Sequence, residues 1–302
     1  MSIIGSILKY FLYPQHLYQV IKLQRNRKKI ECVYDDAQLK LYSQLLPKDF
    51  LHYGYFEDPS ISPWDISINH LYKAQEDYGR LIVNQITDYN SPVLDIGCGM
   101  GGLSALMHGK NLNVVALTPD KHQVRHLTQK YKGLQVMDCR FEDMPAGDFT
   151  AYFGTAVTSE SLQYLKLDEA LPLIDKILKP GGKWVACDYF KKGETGEKSG
   201  HSWRLFNTGL RQNGFKMTYQ RDITPNVLPT IAFAYMWASQ IGMPIKEFVL
   251  GKLKVKAPGI YYAMEEVLPE IEKKINKNMD TINPATFAAN KHYVLMVIER
   301  TG

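Results

Sequence analysis

The stretch Val93-Leu94-Asp95-Ile96-Gly97-Cys98-Gly99-Met100-Gly101-Gly102 joins a short apolar run to four glycines. Ser91-Pro92 breaks the chain ahead of it, and Leu103-Ser104-Ala105-Leu106-Met107 starts a helical pattern behind it. A strand that passes through a glycine turn into a helix N-terminus is how α/β folds hold a nucleotide-like ligand. Glycine lets the backbone approach closely, and the first helical turn offers unpaired N–H donors. Gly97, Gly99 and Gly102 fit the G-x-G-x-x-G spacing, so a dinucleotide is the first cofactor class to weigh.

Asp95 shifts the balance. It lies two residues ahead of the first glycine, where a dinucleotide fold usually carries an apolar residue or glycine. A carboxylate there repels a pyrophosphate but suits the ammonium of a methionine moiety. The string also resembles the first motif of class I methyltransferases, D-x-G-x-G-x-G, through Asp95, Gly97, Gly99 and Gly101. The resemblance implies S-adenosylmethionine as cofactor, S-adenosylhomocysteine as product and no metal. It implies a cofactor site that includes Asp95, Gly97, Cys98, Gly99 and Gly101. The simpler alternative is a glycine-rich structural turn.

The 302 residues can bury a full core, with 45% hydrophobic and 22% charged residues and a net charge of +5. That charge is too mild to imply nucleic acid. Cys32, Cys98, Cys139 and Cys187 are far apart and form no zinc pattern, as expected of reduced thiols in a cytoplasmic protein.

Residues 1–50 read as a helical arm. Ile4, Ile7, Leu8 and Phe11, then Leu17, Val20 and Ile21, fall at helical spacing, and Lys22, Arg25, Arg27, Lys28 and Lys29 follow. Lys9 and Pro14 interrupt the apolar run, so it is too short to span a bilayer. An apolar segment followed by a basic cluster fits a peripheral contact of residues 3–29 with an anionic membrane, at the inner face. It fits equally a helix packed on the domain or on a second subunit of a homo-oligomer.

Residues 51–302 read as the catalytic domain. Leu51-His52-Tyr53-Gly54-Tyr55-Phe56 is dense in aromatics, and Ile68, Leu71, Ala74, Tyr78, Leu81 and Ile82 lie at helical spacing after it. This order resembles cyclopropane-fatty-acid synthases and the tocopherol and sterol C-methyltransferases, and implies that Tyr53 to Phe56 edge the cofactor and substrate pocket. Asn113–Leu117 reads as a second strand. Leu117-Thr118-Pro119-Asp120-Lys121-His122-Gln123 resembles the L-T-x-S-x-x-Q segment of the same group, which assigns Thr118 and Gln123 to the ribose and adenosine. The acidic residue that NAD folds carry at this strand end is replaced by Thr118, although Asp120 two residues on keeps that option open. After a third strand, Phe141-Glu142 resembles an aromatic–acidic adenine-binding pair.

Phe149–Val157 reads as a fourth strand ending in Thr158-Ser159-Glu160-Ser161-Leu162-Gln163-Tyr164. The segment resembles the M-E-S-x-E-H and I-E-A-x-x-H motifs of tocopherol and sterol C-methyltransferases, with Glu160 at the shared Glu and Tyr164 in place of His. Helical spacing puts Glu160 and Tyr164 on one face. A Glu facing an oily pocket can stabilise a carbocation or accept its proton, and the alternative is a helix cap. Leu178-Lys179-Pro180-Gly181-Gly182 leads into a fifth strand. It ends at Asp188, where true cyclopropane synthases carry His, so plain methyl transfer is favoured. Lys216–Ile223 and His292–Glu299 read as the last two strands.

The expectation is an α/β, Rossmann-like sheet of seven mostly parallel strands in the order 3-2-1-4-5-7-6, helices on both faces, and a helical lid at about 226–285. The expected activity is methyl transfer to a hydrophobic isoprenoid, sterol or fatty-acyl-like acceptor, at carbon. Glu160, His52, Tyr164 and Asp188 are the candidate catalytic residues. An O- or N-methyltransferase of a small metabolite and a catalytically silent S-adenosylmethionine-binding partner protein are the alternatives.

Overall fold

A computed structural model describes residues 13–25, 48–193, 199–265 and 267–301. Ile4, Ile7, Leu8, Phe11, Arg27, Lys28, Lys29 and Cys32 lie outside the described residues. Of the arm, α1 (Pro14–Arg25) is described, and it exposes Leu17, Tyr18 and Ile21.

The glycine stretch builds the centre of the sheet. β1 (Val93–Ile96) is followed by α3 (Gly102–His108), while α2 (Ile68–Val83) precedes it. Ser67 starts α2 with a capping box, its hydroxyl accepting from the His70 N–H. β2 (Val114–Leu117), α4 (Lys121–Lys130), β3 (Gln135–Met137), β4 (Phe153–Ser159), α5 (Leu167–Ile177) and β5 (Leu178–Lys191) follow in βα alternation. Next come the two-residue β6 (His201–Ser202), α6 (Trp203–Gln212) and β7 (Phe215–Asp222). Helices fill residues 224–290: α7 (Thr224–Trp237), a π turn (Ala238–Gly242), α8 (Met243–Lys256), α9 (Pro258–Met264), α10 (Leu268–Thr281) and α11 (Pro284–Asn290). β8 (Lys291–Arg300) then returns between β5 and β7.

The sheet runs β3-β2-β1-β4-β5-β8-β7, with β6 attached to β5. Apart from that two-residue strand, this is the expected seven-strand order. β3 to β5 are parallel, and β8 is antiparallel to both its neighbours. β8 alternates cleanly: Val294, Met296 and Ile298 face the layer of α5 and α6, while Tyr293, Leu295 and Val297 face the layer of α2, α3, α7 and α11. Trp184, fully buried on the first face, donates its indole N–H to Thr158 Oγ1 at 3.0 Å, which satisfies the one polar atom that its burial would strand.

Residues 49–56 form an extended strap across the carboxyl ends of the central strands. Asp49 accepts from Lys130 Nζ and Tyr131 OH, each at 2.5 Å, and lies 3.1 Å from His126 Nε2, which ties the strap to α4. Its carbonyl accepts from the Gly102 N–H at 3.1 Å. A Cβ on Gly102 would stand 2.6 Å from the Phe50 ring and 2.8 Å from the Asp49 carbonyl. In an open helix Ala in place of Gly stabilises. Here Gly102→Ala should destabilise by about 1–3 kcal/mol, because backbone atoms must give way. Urea unfolding measures the sign, and a gain in stability would detach the strap from the glycine turn.

Candidate active site

The turn after β1 takes its path from left-handed glycines: Gly97, Gly99 and Gly101 have φ of 75°, 58° and 90°. A Cβ on Gly97 would lie 2.5 Å from that of Ser161, and one on Gly101 would lie 2.3 Å from Leu127 Cδ2. These two glycines therefore admit the protein's own neighbours. Gly99 faces Leu51 of the strap at an ordinary 3.4 Å. Asp95 is fully buried and takes a 2.5 Å hydrogen bond from Ser104 Oγ. Burial pushes its carboxyl up to about 6, against the lowering effect of that bond. One hydroxyl is thin compensation for a buried carboxylate, and a ligand ammonium would supply the missing charge.

At the end of β2, Thr118 Oγ1 donates to Gln123 Oε1 at 2.6 Å and accepts from the Asp120 N–H at 3.2 Å. Asp120 in turn caps α4 through the Gln123 N–H. Thr118 and Gln123 are both buried, so the strand end next to the glycine turn carries a polar pair shielded from water. Cys98 is buried, and burial holds its thiol well above the ordinary value. Phe141 is also buried, in the core cluster with Met144 and Leu162. Glu142 pairs with Arg140 at 3.3 Å.

Glu160 follows β4 with φ 52°, a left-handed conformation that is costly for a residue with a side chain. Its Oε1 accepts from the Tyr53 N–H at 2.7 Å and from the Tyr293 hydroxyl at 2.6 Å. Burial raises its carboxyl from an ordinary 4.5 to about 7, and those two donors act against the rise. Tyr293, having given its proton to Glu160, is left to accept from Tyr78 OH at 2.8 Å. Ser159 Oγ donates to Tyr78 OH at 3.4 Å. The rings of Tyr53, Tyr293, Tyr189 and Phe287 form one cluster, with neighbouring centroids 5.9 to 6.4 Å apart, and Tyr293 ties that cluster to the carboxylate through its hydroxyl. Buried Lys291 lies with its Nζ 4.5 Å from the Tyr189 centroid.

The structure separates Tyr164 from Glu160. The left-handed φ of Glu160 breaks any helical path, and Leu162–Tyr164 is a single 3-10 turn. The helical face expected for the pair therefore does not exist, and Tyr164 is 79% exposed. Asp188 is buried, and its oxygens accept from the backbone N–H groups of Gln163 at 3.2 Å and Tyr189 at 2.8 Å. Burial first, then the nearby Glu160 charge, raise it to about 8. It organises the turn that carries Glu160. His52 stacks on Tyr78 at 4.2 Å, and burial drives its imidazole down to about 4. It lines the site as a neutral ring.

Tyr78, Tyr189, Lys291 and Tyr293 belong to this cluster and were not among the candidate residues. Tyr78 stands in the helical pattern and Tyr293 in the strand pattern as ordinary core positions. A phenol inside an apolar alternation needs a hydrogen-bond partner, and that was the available signal.

Residues 94–186 match the family described as a methyltransferase domain. A sterol 4-C-methyltransferase of Caenorhabditis elegans is 32% identical over 114 residues, covering 35% of this chain and 33% of that protein. The chain thus spans a third of that relative. An O-methyltransferase of Aspergillus sclerotiorum is 25% identical over 275 residues, covering 81% of this chain and 98% of the relative. Among solved structures, the geranyl diphosphate C-methyltransferase of Streptomyces coelicolor, in complex with Mg2+, geranyl diphosphate and S-adenosylhomocysteine, superposes with a TM-score of 0.62. It has 16% identity over 88% of this chain and 99% of that one, so the likeness is one of fold.

The buried carboxyls set a pH dependence. Glu160 and Asp188 hold protons in the folded state to about 7 and about 8, far above their ordinary values. Such groups favour the fold below their unfolded values, and that contribution is lost as pH rises through the folded ones. His52, depressed from 6.5 to about 4, acts in the opposite sense below 6.5. Between 6.5 and 8 the carboxyls act alone, so the melting temperature should fall as pH rises across that window. Glu160→Gln keeps an oxygen for both donors and should flatten the fall. An unchanged slope would remove Glu160 from the buried titrating set.

Proposed function

Taking residues 94–186 as the class I, S-adenosylmethionine-dependent methyltransferase domain of this chain, we propose that the protein methylates a hydrophobic acceptor of isoprenoid, sterol or fatty-acyl-like class, at carbon. The observation that carries this reading is Glu160: a buried carboxylate, oriented by two donors, one of them the hydroxyl of Tyr293 in a cluster of four aromatic rings, on the turn packed against the glycine turn.

S-Adenosylmethionine, when bound, supplies a methyl group already activated by its sulfonium. Asp95 would receive the ammonium of the methionine moiety, and Thr118 and Gln123 would meet the ribose and adenosine. The chain's remaining work is alignment and charge. Both donors to Glu160 converge on Oε1, which leaves Oε2 for the acceptor. An alkene carbon methylated here develops a cation, which the ring faces and the carboxylate stabilise before Glu160 takes the proton. Asp188 is buried beside it and is raised by the Glu160 charge, so the two carboxyls disfavour carrying negative charge together. The sterol relative and the geranyl diphosphate enzyme act on acceptors of this kind by name. The Aspergillus O-methyltransferase keeps oxygen as the alternative acceptor atom, for which the same Oε2 serves as general base.

Glu160→Gln should lower turnover about a hundred- to a thousandfold and leave S-adenosylhomocysteine binding intact. Tyr293→Phe removes one of the two donors, so Glu160 should titrate higher and the acidic limb of the rate profile should move up in pH. The measurement is methyl incorporation from labelled cofactor into prenyl, sterol and fatty-acyl acceptors, beside titration calorimetry with S-adenosylhomocysteine. Near-normal turnover of Glu160→Gln would reduce that residue to a structural acid.

A further inference from the structure

α7 is held at its first half, where Val227 and Ile231 are buried with Tyr55 and Tyr78, and Thr230 Oγ1 accepts from the Gly54 N–H at 3.0 Å. Past Trp237 the chain leaves the core. α8 contains no buried residue at all, yet its sequence Met-Pro-Ile-Lys-Glu-Phe-Val-Leu-Gly-Lys-Leu-Lys-Val-Lys is half apolar. Ile245 is 57% exposed, Phe248 65%, Val249 54% and Val255 76%, with Trp237 at 48% and Tyr262 at 77% on the flanking helices. Contiguous exposed apolar surface of this kind marks an interaction site.

We propose that this part of the helical region, Trp237 to Tyr262, docks on the surface of an anionic lipid bilayer. Charge argues for lipid over a second protein copy. Lys252, Lys254 and Lys256 alternate with the apolar residues of α8, whose single acid is Glu247, while Lys246 is paired with Glu272 at 3.1 Å. Lysine is depleted from protein interfaces, whereas at a bilayer its stem lies along apolar surface while the ammonium reaches the headgroups. The geometry already has this form: Lys252 Nζ stands 5.5 Å from the Phe248 centroid, and Lys254 Nζ stands 5.4 Å from that of Tyr261. No helix among the described residues is long and apolar enough to cross a membrane, so α8 lies in the interface. α7 leads from this region back into the core, where Val227 and Ile231 pack in one cluster with Tyr189, Phe287 and Tyr293, so a lipophilic molecule leaving the bilayer would meet α7 first.

The test is co-sedimentation of the full chain with vesicles of phosphatidylcholine alone or mixed with phosphatidylglycerol. Binding should favour the anionic vesicles and weaken with salt, by about fivefold for each lysine removed from the surface. Phe248→Glu should abolish it, and Lys252→Glu with Lys254→Glu should abolish the preference for phosphatidylglycerol, each with an unchanged melting temperature. Absence of binding by the unaltered chain overturns the proposal. So does undiminished binding by Phe248→Glu, which would move the contact to another surface such as α1. A dimer seen by light scattering that Phe248→Glu dissolves, with vesicle binding unaltered, overturns it in favour of a second copy.

Discussion

Two turns meet at the carboxyl edge of the sheet, and the site depends on how closely they pack. Ser161 presses against the bare Cα of Gly97 and donates from Oγ to the Ile96 carbonyl at 2.5 Å. Any side chain at position 97 would push the turn after β4 away from the turn after β1. Because Glu160 is the residue just before Ser161, that contact fixes where its carboxylate stands relative to the glycine turn. A glycine in such a loop is often credited to ligand access alone. Here it also sets the distance between two halves of the site.

The strap adds a second constraint, from the opposite side. Asp49 holds it to α4, Gly102 holds it to the glycine turn, the Tyr53 N–H holds it to Glu160, and the Gly54 N–H holds it to α7. Each of these is a hydrogen bond to a different element. Eight residues with no regular structure therefore acquire one position, and the four elements that these bonds reach become mechanically coupled. The cost is borne by the buried carboxyls Asp95 and Glu160, whose ionisation burial disfavours.

The parts of this arrangement that were legible in the sequence are those written in consecutive residues. Asp95, Gly97, Gly99 and Gly101 announce a strand–turn–helix because the signal is local, and the sheet order followed from it. Thr118 and Gln123 lie together for the same reason. Glu160 and Tyr164 show the limit: a helical period does not run across a residue whose φ is positive, and the buried carboxylate and the exposed phenol do not share a helical face. Tyr293 lies 133 residues from Glu160 in the chain, and its neighbours read only as a buried strand. Nothing in an apolar alternation says which tyrosine will find a carboxylate. Exposure of Phe248 was equally hidden, because an oily helix reads as core until the core is seen to be complete without it.

The place of β8 has a consequence for the order of assembly. β8 lies between β5 and β7, so as the chain emerges from the ribosome β7 has no sheet partner until the residues of β8 follow it. Strands β1 to β5 can pair early, in parallel, through local βα connections. The strap, synthesised long before, must then wait for Glu160, for Thr230 and finally for the Tyr293 that completes the carboxylate's surroundings. A nascent chain stopped after β7 would hold the glycine turn and the central strands but present an open sheet edge and an unfinished site, the state in which chaperones would find it.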